Sequence, residues 1–334
     1  MTQADKARKL IEKFPTLSKS ELGRRLYAEN PRHFKNAEAA RFVIREVTGA
    51  TGKLGNRIAP THKDIYIGHN LQEGQRNDFT PFIVNGKNIG LLFDIHIPYH
   101  DLRALQLSLD YFKRAKVDTI ILGGDVIDCY QLSRFEKDPE QRITTWEELR
   151  MFMGFLNDLR DNFPDAEIIY KLGNHDERYE HFIKQKGPEL FDFPVLNLNY
   201  LINIHGSTDE ERELAKKRDV KIVTQKRVLK LGKLNVVHGH EFGKAIMAPV
   251  NPARGFYMKA KSNTIGGHHH QTSEHIEKDL NDNIIGCWSV GCLSDLHPAY
   301  MPINKFNLGF ARVTVEGDGN FSVENKKIMN YKII

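Results

Sequence analysis

Four apolar runs, each broken off by a cluster of Asp, His or Asn, constrain this chain more than any other feature. "NIGLLFDIH" ends in Asp94 and His96, "VDTIILGGDVID" in Asp125 and Asp128, "AEIIYKLGNHD" in Asn174, His175 and Asp176, and "LNVVHGHEFG" in His238 and His240. Near-continuous apolar runs of this length read as strands of a sheet covered on both faces. In α/β sheets the functional crevice lies at the carboxyl ends of the strands, so these polar groups are expected to converge. The internal tract "TIGGHHHQTSEH", Thr264 to His275, joins them. A purification tag would sit at a terminus and run longer. Alternate side chains of an extended segment point to opposite sides, so His268 and His270 can meet at one site while His269 faces away.

Between the runs the spacing turns helical. Leu102, Leu105, Leu109 and Phe112 share one face, and Thr145 with Glu148 predicts a capping box before a long helix through Leu149, Leu156 and Phe163. "VKIVT", "RVLKL", "NIIGCWSV" and "LGFARVTVEGDGNFSVE" read as further strands, the last a hairpin turning at Gly317 to Gly319. An α/β core followed by a β-rich half predicts two packed sheets with helices outside. Residues 1–60 read differently, as three short helices whose apolar stripes include Leu10 and Phe14, Leu22 and Leu26, and Ile44 and Val47. Gly49, Gly52 and Gly55 then loosen the chain. The expected organisation is a basic helical appendage over 1–60, a linker over 61–87 and a catalytic domain over 88–334. The appendage is either a helix-turn-helix-like module whose last helix carries Arg41 and Arg45, or a cap on the main domain.

Charge separates the two parts. Residues 1–64 carry 14 Lys and Arg against 7 Asp and Glu, while the remainder carries 34 against 36. The asymmetry suggests an anionic partner, DNA or RNA, for the first part. No run approaches the ~20 apolar residues that span a bilayer, so no membrane role is expected. "MTQADKARKLIEK" lacks the apolar core of a secretory signal, and the expected location is cytoplasmic. Cys129, Cys287 and Cys292 have no zinc-knuckle spacing and read as reduced, buried thiols. Oligomeric state has no signature in the sequence.

Carboxylate, imidazole and amide together suit a pair of divalent ions ~3.5–4 Å apart, which needs one bridging carboxylate with oxygen and nitrogen donors around it. That donor set fits Mn, Fe, Zn or Ni, and the absence of cysteine argues against a closed structural zinc site. The ordered motifs D-x-H, G-D-x-x-D, G-N-H-D, H and G-H-x-H resemble the calcineurin-like metallophosphoesterase superfamily, and they extend over roughly residues 88–315. The resemblance implies a four-layer α/β/β/α sandwich and two divalent metal ions, Mn first among the candidates, with Fe, Zn and Ni as alternatives. By it, Asp94, His96, Asp125 and His270 hold the first ion, and Asp125 bridges to a second completed by Asn174, His238 and His268. A hydroxide between the ions attacks phosphorus, His175 protonates the leaving oxygen, and Asp128 accepts a hydrogen bond from His175. His240 lines the pocket.

Departures from the family pattern narrow the activity. Purple acid phosphatases carry tyrosine at the position of Asp128, and protein Ser/Thr phosphatases carry arginines where this chain has Cys129 and Leu172. Arg178 and Arg134 are the candidate phosphate clamps here. The expected function is a phosphodiesterase or nuclease acting on nucleic acid, of a phage- or bacterium-like type. The alternatives are a small-molecule phosphomonoesterase or cyclic-nucleotide phosphodiesterase, and a non-catalytic binding module. Retention of every ligand and of His175 disfavours the last.

Overall fold

The computed structural model describes residues 1–49, 79–224, 226–243 and 250–334. The chain divides into two compact units, Met1–Arg76 and Asn77–Ile334. Gly52 and Gly55, and most of the stretch read as a linker, lie outside the described residues.

The first unit contains helices α1 (Gln3–Lys13), α2 (Lys19–Glu29) and α3 (Ala37–Val47). Each starts at a polar cap, Thr2, Ser18 or Asn36, whose side chain accepts an otherwise orphaned amide of the first turn. Their apolar stripes close on one another around Leu10, Leu22, Leu26, Phe34 and Ile44.

The second unit is built on two sheets. Strands β2 (Asn88–Leu92), β3 (Thr119–Leu122), β4 (Glu167–Lys171) and β5 (Val220–Val223) run parallel. Antiparallel β11 (Leu308–Val315), β12 (Phe321–Met329) and β13 (Lys332–Ile333) complete a seven-stranded sheet in the order β13-β12-β11-β2-β3-β4-β5. The six-stranded partner runs β1-β6-β7-β8-β10-β9. Its members are β1 (Phe82–Ile83), β6 (Leu229–Leu231), β7 (Leu234–Val236), β8 (Thr264–Gly266), β9 (Ser273–Lys278) and β10 (Ile284–Ser289). Strand β1 falls inside the stretch read as linker, yet pairs with β6, so that part of the chain belongs to the sheet.

Side-chain alternation along the buried strands assigns each residue to a layer. Ile89, Leu91 and Phe93 point between the sheets with Ile121, Ile169, Val236 and Ile265. Leu92, Ile120, Leu122 and Tyr170 point the other way, onto helices α4 (Leu102–Ala115), α5 (Thr145–Asn162) and α7 (Leu198–Asn203). On the far side of the six-stranded sheet, Ala253 and Phe256 of α9 (Pro252–Ala260) pack on Cys287. The layers are therefore helix, sheet, sheet, helix. Two more helices, α6 (Glu177–Lys186) and α8 (Asp209–Arg218), flank the parallel strands.

The capping box of α5 is shifted by one residue from the expected pair. Thr144 caps, and Glu147 closes the box by accepting from the Thr144 amide at 2.8 Å. Glu148 turns inward and accepts from the Cys129 amide at 2.5 Å. Because α5 packs on the sheet, the residue facing the core cannot also face the cap.

Candidate metal centre

The parallel register of β2, β3 and β4 brings their carboxyl ends to one edge, and β7 and β8 run parallel to each other in the other sheet. The segments that follow these five strands carry Asp94 and His96, Asp125 and Asp128, Asn174 and His175, His238, and His268 to His270. Five of these residues sit in left-handed backbone, with φ of +53° at Asp94, +51° at His96, +51° at Asp125, +68° at His268 and +53° at His270. Asp, Asn and His tolerate this region better than other non-glycine residues. Concentration of such conformations at one place marks a site whose surroundings hold strain. Two glycines allow the loops to close. A Cβ on Gly173 would lie 2.3 Å from Asp125 Oδ1, and one on Gly124, where φ is +111°, would lie 2.5 Å from His238 Nδ1.

Three sets of ligand atoms each lie within 4.8 Å of one another: Asp94, His96 and His270; His96, Asp125 and His175; Asp125, His238 and His268. Asp125 belongs to two of them, as a bridging carboxylate would. His238 Nε2 is 3.2 Å from Asp125 Oδ2, His270 Nε2 is 3.3 Å from Asp94 Oδ1, and the Nε2 atoms of His96 and His270 are 3.2 Å apart. Asp94 Oδ1, Asn174 Oδ1 and His238 Nε2 are buried without a hydrogen-bond partner. Buried lone pairs converging without donors are what a divalent cation satisfies, and the residues fit such ions. Burial alone would strip His238 of its proton, but Asp125 and Asp94 outweigh it and push the imidazole up to about 9. That negative field is the attraction a cation would feel.

The ligand rings are aimed from behind. His238 Nδ1 donates to the Gly123 carbonyl at 3.2 Å, and His96 Nδ1 donates to Asp128 Oδ2 at 2.9 Å, which leaves each Nε2 facing the site. His175 Nδ1 lies 3.0 Å from the same Asp128 oxygen. Burial would raise the Asp128 carboxyl, but the hydrogen bonds from His175 and His96 hold it well below the usual carboxylate range. Arg178 spans the pair, donating from Nη1 to the Asp128 carbonyl and from Nη2 to His175 Nε2, both at 2.9 Å. An arginine only donates, so His175 here accepts at Nε2 and carries its proton on Nδ1.

The other predicted residues divide. His240 Nε2 is 3.3 Å from Glu177 Oε2, and its ring stands 5.3 Å from that of His238. His269 belongs to none of the ligand sets among the described residues, and its ring packs 5.7 Å from Phe256. Arg134 is exposed, its guanidinium over Phe135.

Three residues to which the motifs assigned no role hold the loops. Asp176 accepts from four amides: Asp125 and Gly173 at 2.7 Å, Val126 at 3.0 Å and Ile127 at 3.1 Å. Burial first, then the Asp125 charge, pushes its carboxyl up to about 6. Lys171, fully buried, pairs with Glu241 at 2.7 Å, and Glu241 accepts from the amides of His238 and Gly239. Burial would raise Glu241, but Lys171 leads the charges that pull it down to about 2. One signal of this pair was available, a lysine inside the apolar run "AEIIYKL".

Two sheets between helix layers, with a twin cluster of carboxylate and imidazole donors at the strand ends, define a metallophosphoesterase. A profile of the calcineurin-like phosphoesterase family matches residues 88–272, and the chain belongs to that family. It is 24% identical over 263 residues to the gene 54 protein of Mycobacterium phage L5, covering 72% of this chain and 98% of that one. Among solved structures, it is similar to vacuolar protein sorting 29 from Cryptosporidium parvum, with 13% identity and a TM-score of 0.39 over 75% of this chain and 95% of that one. A dimetal phosphatase from Danio rerio is similar at 12% identity and a TM-score of 0.35 over 71% and 95%. Among the described residues, no helix is long and apolar enough to cross a membrane.

Proposed function

We propose that the protein is a phosphodiesterase that hydrolyses nucleic acid, with the first unit as its nucleic-acid anchor. The observation that carries this reading is the fate of the two positions that hold arginines in protein Ser/Thr phosphatases. Cys129 is 1% and Leu172 5% exposed, both in the core beneath the site. Arg178 is the one cation, among the described residues, hydrogen-bonded to His175. A single guanidinium suits the one negative charge of a diester better than the two of a monoester. The basic balance of residues 1–64, 14 cations against 7 acids, supports a polyanionic substrate.

Divalent ions, when bound, supply Lewis-acid charge and an acidified water for attack at phosphorus. Asp94, His96, Asp125 and His270 would hold one, and Asp125, Asn174, His238 and His268 the other. Manganese is our first choice, in keeping with a donor set of carboxylate, imidazole and amide. Arg178 turns from His175 to a non-bridging phosphate oxygen, which frees Nε2 of His175. Burial disfavours charge on His175, but Asp125 and Asp128 outweigh burial and raise its pKa, so it takes a proton and passes it to the leaving oxygen. His240, 3.3 Å from Glu177 and with its ring 5.3 Å from that of His238, would face substrate from beside the second ion.

The test is a comparison of bis-p-nitrophenyl phosphate, p-nitrophenyl phosphate and labelled DNA, each with added manganese, zinc or iron. We expect kcat/KM for the diester to exceed that for the monoester, and DNA to be cut. Hydrolysis confined to the monoester would replace this reading with a small-molecule phosphomonoesterase.

A further inference from the structure

The first unit has a core of its own, and its last helix turns one face away from that core. Ala40, Ile44 and Val47 of α3 are buried. On the opposite side Glu38, Phe42 and Arg45 are exposed at spacings of four and three, which places them on one stripe. Apart from the terminal Met1, Phe42 is the one large apolar side chain exposed among residues 1–49, at 55%. Lys35 precedes the helix, exposed, and Arg41 borders the stripe with its side chain 39% exposed, 3.4 Å from Glu38. The same residues 1–49 carry 11 Lys and Arg against 6 Asp and Glu. Glu46 is exposed beside Arg45, so the charge on α3 itself is mixed, and it is the excess of cations over the whole unit, with one exposed aromatic on its last helix, that favours a polyanion with flat, methyl-bearing bases.

The packing holds this face out. A Cβ on Gly23 of α2 would lie 2.6 Å from the Cβ of Arg41, so the two helix backbones meet with no side chain between them. The cap at Asn36, accepting from the Ala39 amide at 2.8 Å, begins α3 at its first exposed turn. Seven residues separate α2 from α3, more than the three or four of a compact helix-turn-helix, so the three-helix core and not a tight turn sets the orientation of α3.

We infer that α3 is a major-groove reading helix for duplex DNA, with Arg45 and Phe42 touching bases and Lys35 and Arg41 touching phosphates. An 11-residue helix is ~16 Å long and enters a groove ~12 Å wide. Arginine pairs with guanine edges, and phenylalanine contacts the thymine methyl. This inference rests on the nucleic-acid reading of the previous section and names the strandedness and the contact face.

Fluorescence anisotropy of the full-length protein with a labelled phosphorothioate duplex, which resists cleavage and keeps its charge, tests it at two salt concentrations. Arg45→Ala should weaken binding about tenfold and relax the preference for guanine, and Phe42→Ala should also weaken it, both with the salt slope little changed. Arg8→Ala on α1 should bind as wild type. Hydrolysis of bis-p-nitrophenyl phosphate and the melting temperature should stay unchanged in all three. Wild-type affinity in both α3 variants, an equal loss in Arg8→Ala, or tighter binding to the single strand than to the duplex would overturn the assignment. A protein that cleaves the small diester yet binds no duplex defeats this inference alone, whereas one that cleaves only monoesters defeats the parent reading.

Discussion

The helical unit and the metal centre keep their functional groups in opposite ways. In α1, α2 and α3 each cap is local, and the exposed face of α3 takes no part in the core. At the metal centre, five ligand candidates sit in left-handed backbone, and their loops are tied by Asp176, which reaches the Val126 amide across 50 residues of chain. A group on a regular helix can be exchanged with little effect on its neighbours. At the metal centre, binding, geometry and folding depend on one another, so substitutions there should act together.

Asp125→Asn presses hardest on that contrast. The carboxylate belongs to two ligand sets and also accepts from the His175 amide at 2.7 Å. Both ions should be held more weakly and turnover should fall by several orders of magnitude, measured by elemental analysis after dialysis and by kcat. Two tightly held ions in this variant would remove Asp125 from the bridge.

The histidine tract repeats the contrast within three residues. His268→Ala and His270→Ala should each cost about one ion per chain, or roughly 10–100-fold in its affinity. His269→Ala should keep both ions, because its ring faces Phe256. Equal metal loss in all three would show that alternation along the tract does not select the ligands.

The smallest effect is expected at Glu148, a buried carboxyl near the site that no ion claims. Burial raises its pKa, the Cys129 amide opposes, and the balance stands at about 7 against an ordinary 4.5. A folded value above the unfolded one means that its contribution to stability is fully present below about pH 4.5 and is lost as pH rises through 7. The difference amounts to ~3 kcal/mol by pH 8. Glu148→Gln keeps an oxygen for the Cys129 amide and removes the charge. It should melt near wild type at pH 5 and several degrees higher at pH 8. A difference that does not grow with pH would show that Glu148 is not ionised at a cost in the fold.

Much of this was legible in the chain itself. Apolar runs ending in Asp, His and Asn identified the strands and the donor groups that meet at their ends, because the period of a strand and the chemistry of a side chain are local facts. What only the tertiary structure decided depends on partners distant in sequence. Whether Glu147 or Glu148 closes the cap of α5 follows from which one faces the core. The short strand β1 exists because β6 offers it an edge, although its two residues, Phe82 and Ile83, are too short a run to declare a strand alone. Lys171 tolerates full burial only because Glu241 meets it. The left-handed turns at the ligands have no sequence signature either: Asp and His permit such backbone without demanding it, and the long-range hydrogen bonds from the neighbouring loops hold them there.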